Sequence, residues 1–375
     1  MLATILFPSP DPIPLPAPVW FFKVLHATVL SLHFVTVQWV LGWLFIGVLW
    51  NFWGRARGNA AMVAGSNKMA GSLPIIMTYL INFGIPPLLF TQVLYGSFLY
   101  TSSVLIGAWW ISVIFLVILV YSSLYLGGAR AAKSKAWWGF GLLALLIALS
   151  VAKIYSSNMT LMLRPGVWTE MFRLHPHGTS LPHSDPTLIP RWLFMISGGL
   201  TIGGLALIVT GIRQKSEVAF KGFMVMHGGW IAAAGALLQA VVGFRVLHSQ
   251  PEAVQAMLDA NVLYHNLLSV WIGIAVLVAA LGLLALVLRE KASGLLAAAA
   301  ATAGFLLTVT MVVYRDGIRD LTLLIQGYDV WNLKVVANWP VVALFLGTFV
   351  IGLLLMGGLI AIVLKAKPAN KEDAI

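Results

Sequence analysis

The sequence predicts an all-α integral membrane protein, a bundle of about nine transmembrane helices forming one domain over residues 1–375. Three observations predict it. Hydrophobic residues make up 60% of the 375 and charged residues only 9%, whereas a soluble globule needs about a quarter charged residues to cover its surface. Apolar stretches recur at the length of about 20 residues that a helix needs to cross a bilayer. No internal repeat and no stretch of soluble-domain composition interrupts them, so a single helical bundle accounts for the whole chain.

The elements follow in order. Met1 to Trp20 carries Pro8, Pro10, Pro12, Pro14, Pro16 and Pro18 and has no basic start. It therefore reads as a proline-rich extracytoplasmic arm, residues 1–18, rather than a cleaved signal peptide. Spans are expected at 19–50, 70–95, 102–127, 137–156, 190–212, 219–246, 262–288, 293–313 and 339–365. Two long extracytoplasmic loops, 157–189 and 314–338, are expected between them.

The formal charge of +11 is better explained by topology than by nucleic acid, because no soluble face exists to carry a basic patch. One set of alternate connections holds fourteen Lys and Arg against four carboxylates, and the other set nine against eight. Cytoplasmic loops collect the basic residues, so the N-terminus is expected outside and the C-terminus inside. A multi-pass protein of a bacterial-type inner (cytoplasmic) membrane is implied.

The chain has no cysteine and eight histidines, and the nine apolar windows contain no Asp or Glu. Absence of thiols excludes covalent haem c and cysteine-ligated iron–sulfur clusters. An ionisable group in hydrocarbon costs a few kcal/mol and marks a task, and here the metal-binding side chains left at depth are histidines. That pattern points to non-covalent haem b. His26 and His33 lie seven residues apart in the first span, on one face and about 10 Å from each other. One haem iron cannot use both, since its axial ligands come from opposite sides of the ring. His227 lies in the sixth span, and His248 and His265 bracket the short connection after it. His33, His227 and His265 are the leading iron ligands, with His26, Met195 and His248 next.

A membrane haem is gripped between two helices with small residues where the ring needs room. Gly228 and Gly229 beside His227 supply such room, as do Ser197, Gly198, Gly199, Gly203 and Gly204 after Met195. The same glycines suit close helix packing without a cofactor, and a buried histidine also serves by hydrogen-bonding a carbonyl. Lys153, Arg191, Arg245 and Arg315 fall at outer helix ends, where they can meet haem propionates or simply reach the interface. In the loop 157–189, His175, His177 and His183 form a metal-binding or merely exposed set. Tyr314 to Asp320 pairs opposite charges at a membrane edge.

The run His33-Phe-Val-Thr-Val-Gln-Trp-Val-Leu-Gly42, followed by Asn82-Phe-Gly84, resembles the opening of cytochrome bd quinol oxidase subunit I. Nine spans with an outside N-terminus fit that family along nearly the whole chain. The resemblance implies that His33 is an axial ligand of a high-spin haem. It also implies a respiratory oxidoreductase complex, with other redox subunits as partners, among them a second membrane subunit, and with a quinone.

The sequence departs from the family where glutamates stand in its spans: Ala108 to Val113 and Leu306 to Tyr314 have none. The family's fifth-span histidine falls near Phe194 or Met195 and its seventh-span methionine near His265 to Leu268. Its long quinol loop shrinks to Ser249–Asn261. Protons for oxygen reduction would have to travel on water, His and hydroxyls such as Thr91, Tyr95 and Tyr100. Electron transfer between the quinone pool and a cytochrome c or other redox subunit is therefore expected ahead of terminal reduction of oxygen. The alternatives from other classes are a transporter, for which Pro86-Pro87 would break the second span, and a structural membrane anchor.

Overall fold

The computed structural model describes residues 14–182, 185–214 and 217–365. Among these, eleven α-helices run as α1 (Val19–Ala56), α2 (Ala60–Leu105), α3 (Gly107–Ala132), α4 (Trp138–Leu161), α5 (Trp168–Leu174), α6 (Leu188–Ile212), α7 (Val218–His248), α8 (Glu252–Ala260), α9 (Val262–Leu288), α10 (Gly294–Leu324) and α11 (Trp339–Lys365). Nine of them, all but α5 and α8, are long and apolar enough to cross a membrane. Their outward faces are apolar, as lipid contact requires: Ile111, Ile114 and Phe115 on α3 and Leu344, Leu354 and Leu355 on α11 are exposed.

Helices run past the apolar windows because amphipathic ends extend them beyond the hydrocarbon-like stretch. α2 starts ten residues early, after Asn59, whose side chain accepts from the Met62 N–H, the usual way to satisfy a free helix-start donor. It also continues through Pro86 and Pro87, and its helical geometry fails later, at Tyr95 (φ −138°, ψ 31°). The expected break at the proline pair is therefore not found, and the transporter reading loses its one supporting feature. Of the two long connections, 157–189 contains the end of α4 and all of α5, and the first part of 314–338 is the last three turns of α10. Ser249–Asn261 folds as α8.

Only 14–18 of the proline-rich arm fall among the described residues. There the backbone of Leu15 pairs with that of Lys334 and Val336 (both 2.9 Å). This ties the start of α1 to the segment before α11.

The glycines pack helices rather than ring a cofactor. A Cβ on Gly42 of α1 would overlap the Gly199 carbonyl of α6. One on Gly228 of α7 would lie 2.6 Å from the Gly204 oxygen of α6. Gly229 meets Gly282 of α9 in the same way. Small residues thus bring α1, α6, α7 and α9 to backbone contact, which in a membrane replaces the hydrophobic effect as the source of association.

At the far end of α1, buried Asn51 accepts at Oδ1 from the N–H groups of Trp137 (3.0 Å) and Trp138 (3.2 Å) and donates to Ser66 Oγ (3.0 Å). It caps α4 from another helix. Asn51→Ala is expected to cost about 2 kcal/mol, since it leaves the buried Trp137 N–H and the half-buried Trp138 N–H without their acceptor, and thermal unfolding in detergent would show it.

Candidate functional site

A cavity of about 470 Å³ lies among α1, α2, α3, α4, α6, α7, α9 and α10, within the range of about 300–1,000 Å³ typical of cofactor pockets. Its walls are mostly apolar, with a few polar side chains spread over α1, α2, α4, α6, α9 and α10.

His33 lines this cavity. Its Nδ1 is 2.9 Å from the Leu80 carbonyl of α2. A carbonyl only accepts, so Nδ1 carries the proton and Nε2 keeps its lone pair. That is the arrangement in which a metal-ligating imidazole is held by its other nitrogen. Gly84 makes the position possible, because a Cβ there would stand 2.8 Å from His33 Cε1. The sequence run Asn82-Phe-Gly84 therefore acts as the ring's backing.

His26, two turns earlier, is held in the same way against Pro87 O (3.1 Å). Its Nε2 is already engaged, accepting from Arg319 Nη2 at 3.3 Å. Thioethers from α6 and α10, Met195 and Met311, also line the cavity.

Arg191, Arg315 and Arg319 stand at the His26 end. Arg191 donates to Gln250 Oε1 at 3.0 Å, and the Arg315 guanidinium lies 5.5 Å from the centre of the Phe34 ring. Two buried donors on cavity-lining residues, Arg319 Nε and Trp271 Nε1, have no hydrogen-bond partner. Unpartnered buried donors are costly, and they suit an acceptor supplied by a ligand.

Haem b fits this donor set. His33 Nε2 offers a ligating lone pair, Gly84 clears space for its ring, the walls match a flat apolar macrocycle, and the free N–H groups with the arginines suit two carboxylates.

The structure brings His26, His33, Met195, Arg191 and Arg315 to one cavity, and the other candidates lie elsewhere. His227 bonds the Phe223 carbonyl of its own helix (2.8 Å) and packs on Trp50, ring centres 5.4 Å apart. Trp50 stands 24 residues beyond His26 on α1, about 36 Å along the helix. His227, expected as a leading ligand, thus lies away from the cavity, because α7 enters the bundle from the opposite end. His248 is exposed, with Nδ1 2.7 Å from Phe244 O, and borders a separate depression with Arg245 and Pro190. His265, Lys153 and Arg245 are exposed. His175 and His177 are exposed too, and His183 lies outside the described residues. Among the described residues no three His, Cys, Asp or Glu come together to hold a metal ion.

Sequence reasoning missed a buried ionic network beside the cavity. α10 continues to Leu324 and so carries Asp316 and Asp320 inside the helix. The expectation that no carboxylate enters the spans is corrected accordingly. Lys23, in the first turns of α1, is only 7% exposed. It lies 2.8 Å from Asp316 and 2.5 Å from Asp320. Arg319 pairs with Asp316, and the Tyr95 hydroxyl bonds Asp320. The available signal was the spacing of Arg315 with Arg319 and of Asp316 with Asp320, each four apart and therefore stacked on one helical face.

No family model and no curated protein matches the sequence. Among solved structures, the chain is similar to one in the structure of bd oxidase from Geobacillus thermodenitrificans, with a TM-score of 0.72 and 11% identity, over 94% of this chain and 98% of that one. This multi-pass membrane protein therefore has a divergent bd oxidase-like fold, in agreement with the resemblance carried by the first-span motif.

Proposed function

We propose that the chain is a haem b-carrying membrane subunit of a respiratory oxidoreductase, passing electrons between the quinone pool and a cytochrome c or another redox subunit. The observation that carries this reading is His33: an imidazole with its proton fixed on Nδ1 by Leu80, facing a cavity of cofactor size. Haem held there supplies one-electron chemistry. The protein's part is to bind it through His33 Nε2 and to keep water from its faces with α1, α2 and α4. Arg191, Arg315, Arg319 Nε and Trp271 Nε1 would hold its carboxylates. Met195 and Met311 are among the thioethers lining the cavity that could supply a further ligand, and His227, His248 and His265 lie away from it. The N-terminal end of α1 faces outward across a bacterial-type inner membrane, and a second membrane subunit and a cytochrome c are the partners of such a chain.

Reduction of oxygen is the second reading, and a specific observation favours it. Asp316 pairs with the cavity-lining Arg319 and Asp320 follows it in the chain, so carboxylates capable of holding protons are available after all. Two measurements test these readings on protein purified from haem-replete cells. A pyridine haemochrome assay is expected to give b-type haem at one or more per chain. Stopped-flow mixing with a quinol and with reduced cytochrome c is expected to reduce it without oxygen consumption; rapid oxygen uptake would move the assignment to the oxidase reading, and a colourless preparation would sink both.

A further inference from the structure

Six groups from three helices form one buried chain of hydrogen bonds that begins at the cavity wall. His26 Nε2 on that wall accepts from Arg319 Nη2 at 3.3 Å, and Arg319 pairs with Asp316. Asp316 Oδ2 accepts from Lys23 Nζ at 2.8 Å. Lys23 Nζ also reaches both oxygens of Asp320, at 2.6 and 2.5 Å, and the Tyr95 hydroxyl at 2.5 Å. Tyr95 in turn donates to Asp320 Oδ1. At its other end the chain stops beneath Trp331, a 53% exposed residue whose ring centre is 5.5 Å from Lys23 Nζ. The network thus runs from the cavity to the surface where α1 begins.

Stability alone does not account for it. Buried ion pairs are commonly replaceable by apolar residues of the same volume at no loss, because desolvation offsets their attraction. Ionisable groups retained among apolar helices mark proton or ion tasks. The charges around it are also informative. Lys23 and Arg319 balance Asp316 and Asp320, while Arg191 from α6 and Arg315 from α10 add positive charge at the cavity end. Tyr314 from α10, Tyr264 from α9 and Tyr328 from the segment after α10 are the remaining titratable neighbours, and Tyr328 is committed to the Leu94 carbonyl (2.7 Å). In such a low-dielectric setting a charge placed in the cavity is poorly screened. Protonation of one carboxylate in the network compensates it at short range.

We infer that Lys23, Tyr95, Asp316, Arg319 and Asp320 form a redox-linked proton-exchange site. When the cavity gains an electron, the Asp316–Asp320 pair takes up one proton from the Trp331 surface, and when the electron leaves, the proton returns. One electron and one proton enter together, and no bond other than the carboxyl O–H is made or broken. This inference rests on the haem reading above, and its failure is separable from that of the reading.

The test uses the purified full-length protein. Haem reduction is followed optically at poised potentials from about pH 6 to pH 9, and in wild type the reduction constant is expected to fall as pH rises, approaching tenfold per pH unit for one linked proton. In Asp316→Asn and Asp320→Asn that dependence is expected to drop below a third of the wild-type slope. Glu170→Gln, exposed on α5 and paired with Arg173, keeps it. The reduced-minus-oxidised infrared spectrum of wild type is expected to show a carboxylic C=O band that shifts in D₂O. Should the Asp variants fail to accumulate, Tyr95→Phe removes a single hydroxyl from the network, and the wild-type infrared band needs no variant. A wild-type reduction constant independent of pH, or variants with the wild-type slope, overturns the inference while leaving the haem reading intact. Protein without haem overturns both, and the absorbance spectrum tells the two cases apart.

Discussion

His33→Ala is expected to remove haem from the cavity. The pyridine haemochrome ratio should fall by at least one haem per chain relative to wild type, and turnover with quinol or cytochrome c should fall with it. The magnitude follows from what the residue does. Loss of an outer partner that merely orients a metal ligand costs about 10- to 100-fold in affinity, and removing the imidazole takes away the ligand as well as its orientation by Leu80. His227→Ala provides the contrast. That ring is tied to its own helix at Phe223 and lies against Trp50, so haem content should stay at the wild-type ratio. Equal haem loss in both variants would mean that the histidines act through general stability and not through the cavity.

Gly42→Leu is expected to be the most damaging single change in the frame that holds His33. A Cβ at Gly42 would overlap the Gly199 carbonyl and lie 3.0 Å from Gly203 Cα. Backbone atoms cannot rotate away as a side chain can, so α1 and α6 must separate. Overpacking of this kind costs about 1–3 kcal/mol and occasionally more, and a leucine against backbone belongs at the upper end. Because His33 is on α1 and Arg191 and Met195 are on α6, the separation also widens the cavity. Both a lower Tm in detergent and reduced haem content should follow. Gly273 on α9 has open space where its Cβ would go, so Gly273→Leu should leave both nearly unchanged. A stable, haem-replete Gly42→Leu protein would contradict the close α1–α6 packing.

The number of spans was readable because each carries an apolar window about the length of a bilayer crossing. The pairing of His33 with Gly84 was half readable, since the motif residues were visible but the reason for Gly84 needed α1 and α2 side by side. Naming His227 a leading ligand beside His33 failed, because the contact of its ring with Trp50 sets it at the far end of α1 from the cavity. The glycines near Met195 and His227 fitted two explanations, and only the Gly204–Gly228 and Gly42–Gly199 contacts decide for helix packing. Hydropathy hid the ionic network for a physical reason. The window ends at Val313, where charged residues begin, yet α10 keeps its geometry to Leu324 because Asp316, Arg319 and Asp320 find partners in Lys23 and Tyr95 on other helices. Pairing between helices cannot be read from one helix at a time.

The central claim, that His33 holds a haem among α1, α2, α6 and α10, is tested most directly by an electron cryo-microscopy map of the purified protein at side-chain resolution. The account predicts a flat macrocycle within the cavity, with iron bonded to His33 Nε2 and its carboxylates among Arg191, Arg315 and Arg319. A cavity filled by lipid chains or collapsed side chains, with His33 Nε2 touching no metal, would contradict it.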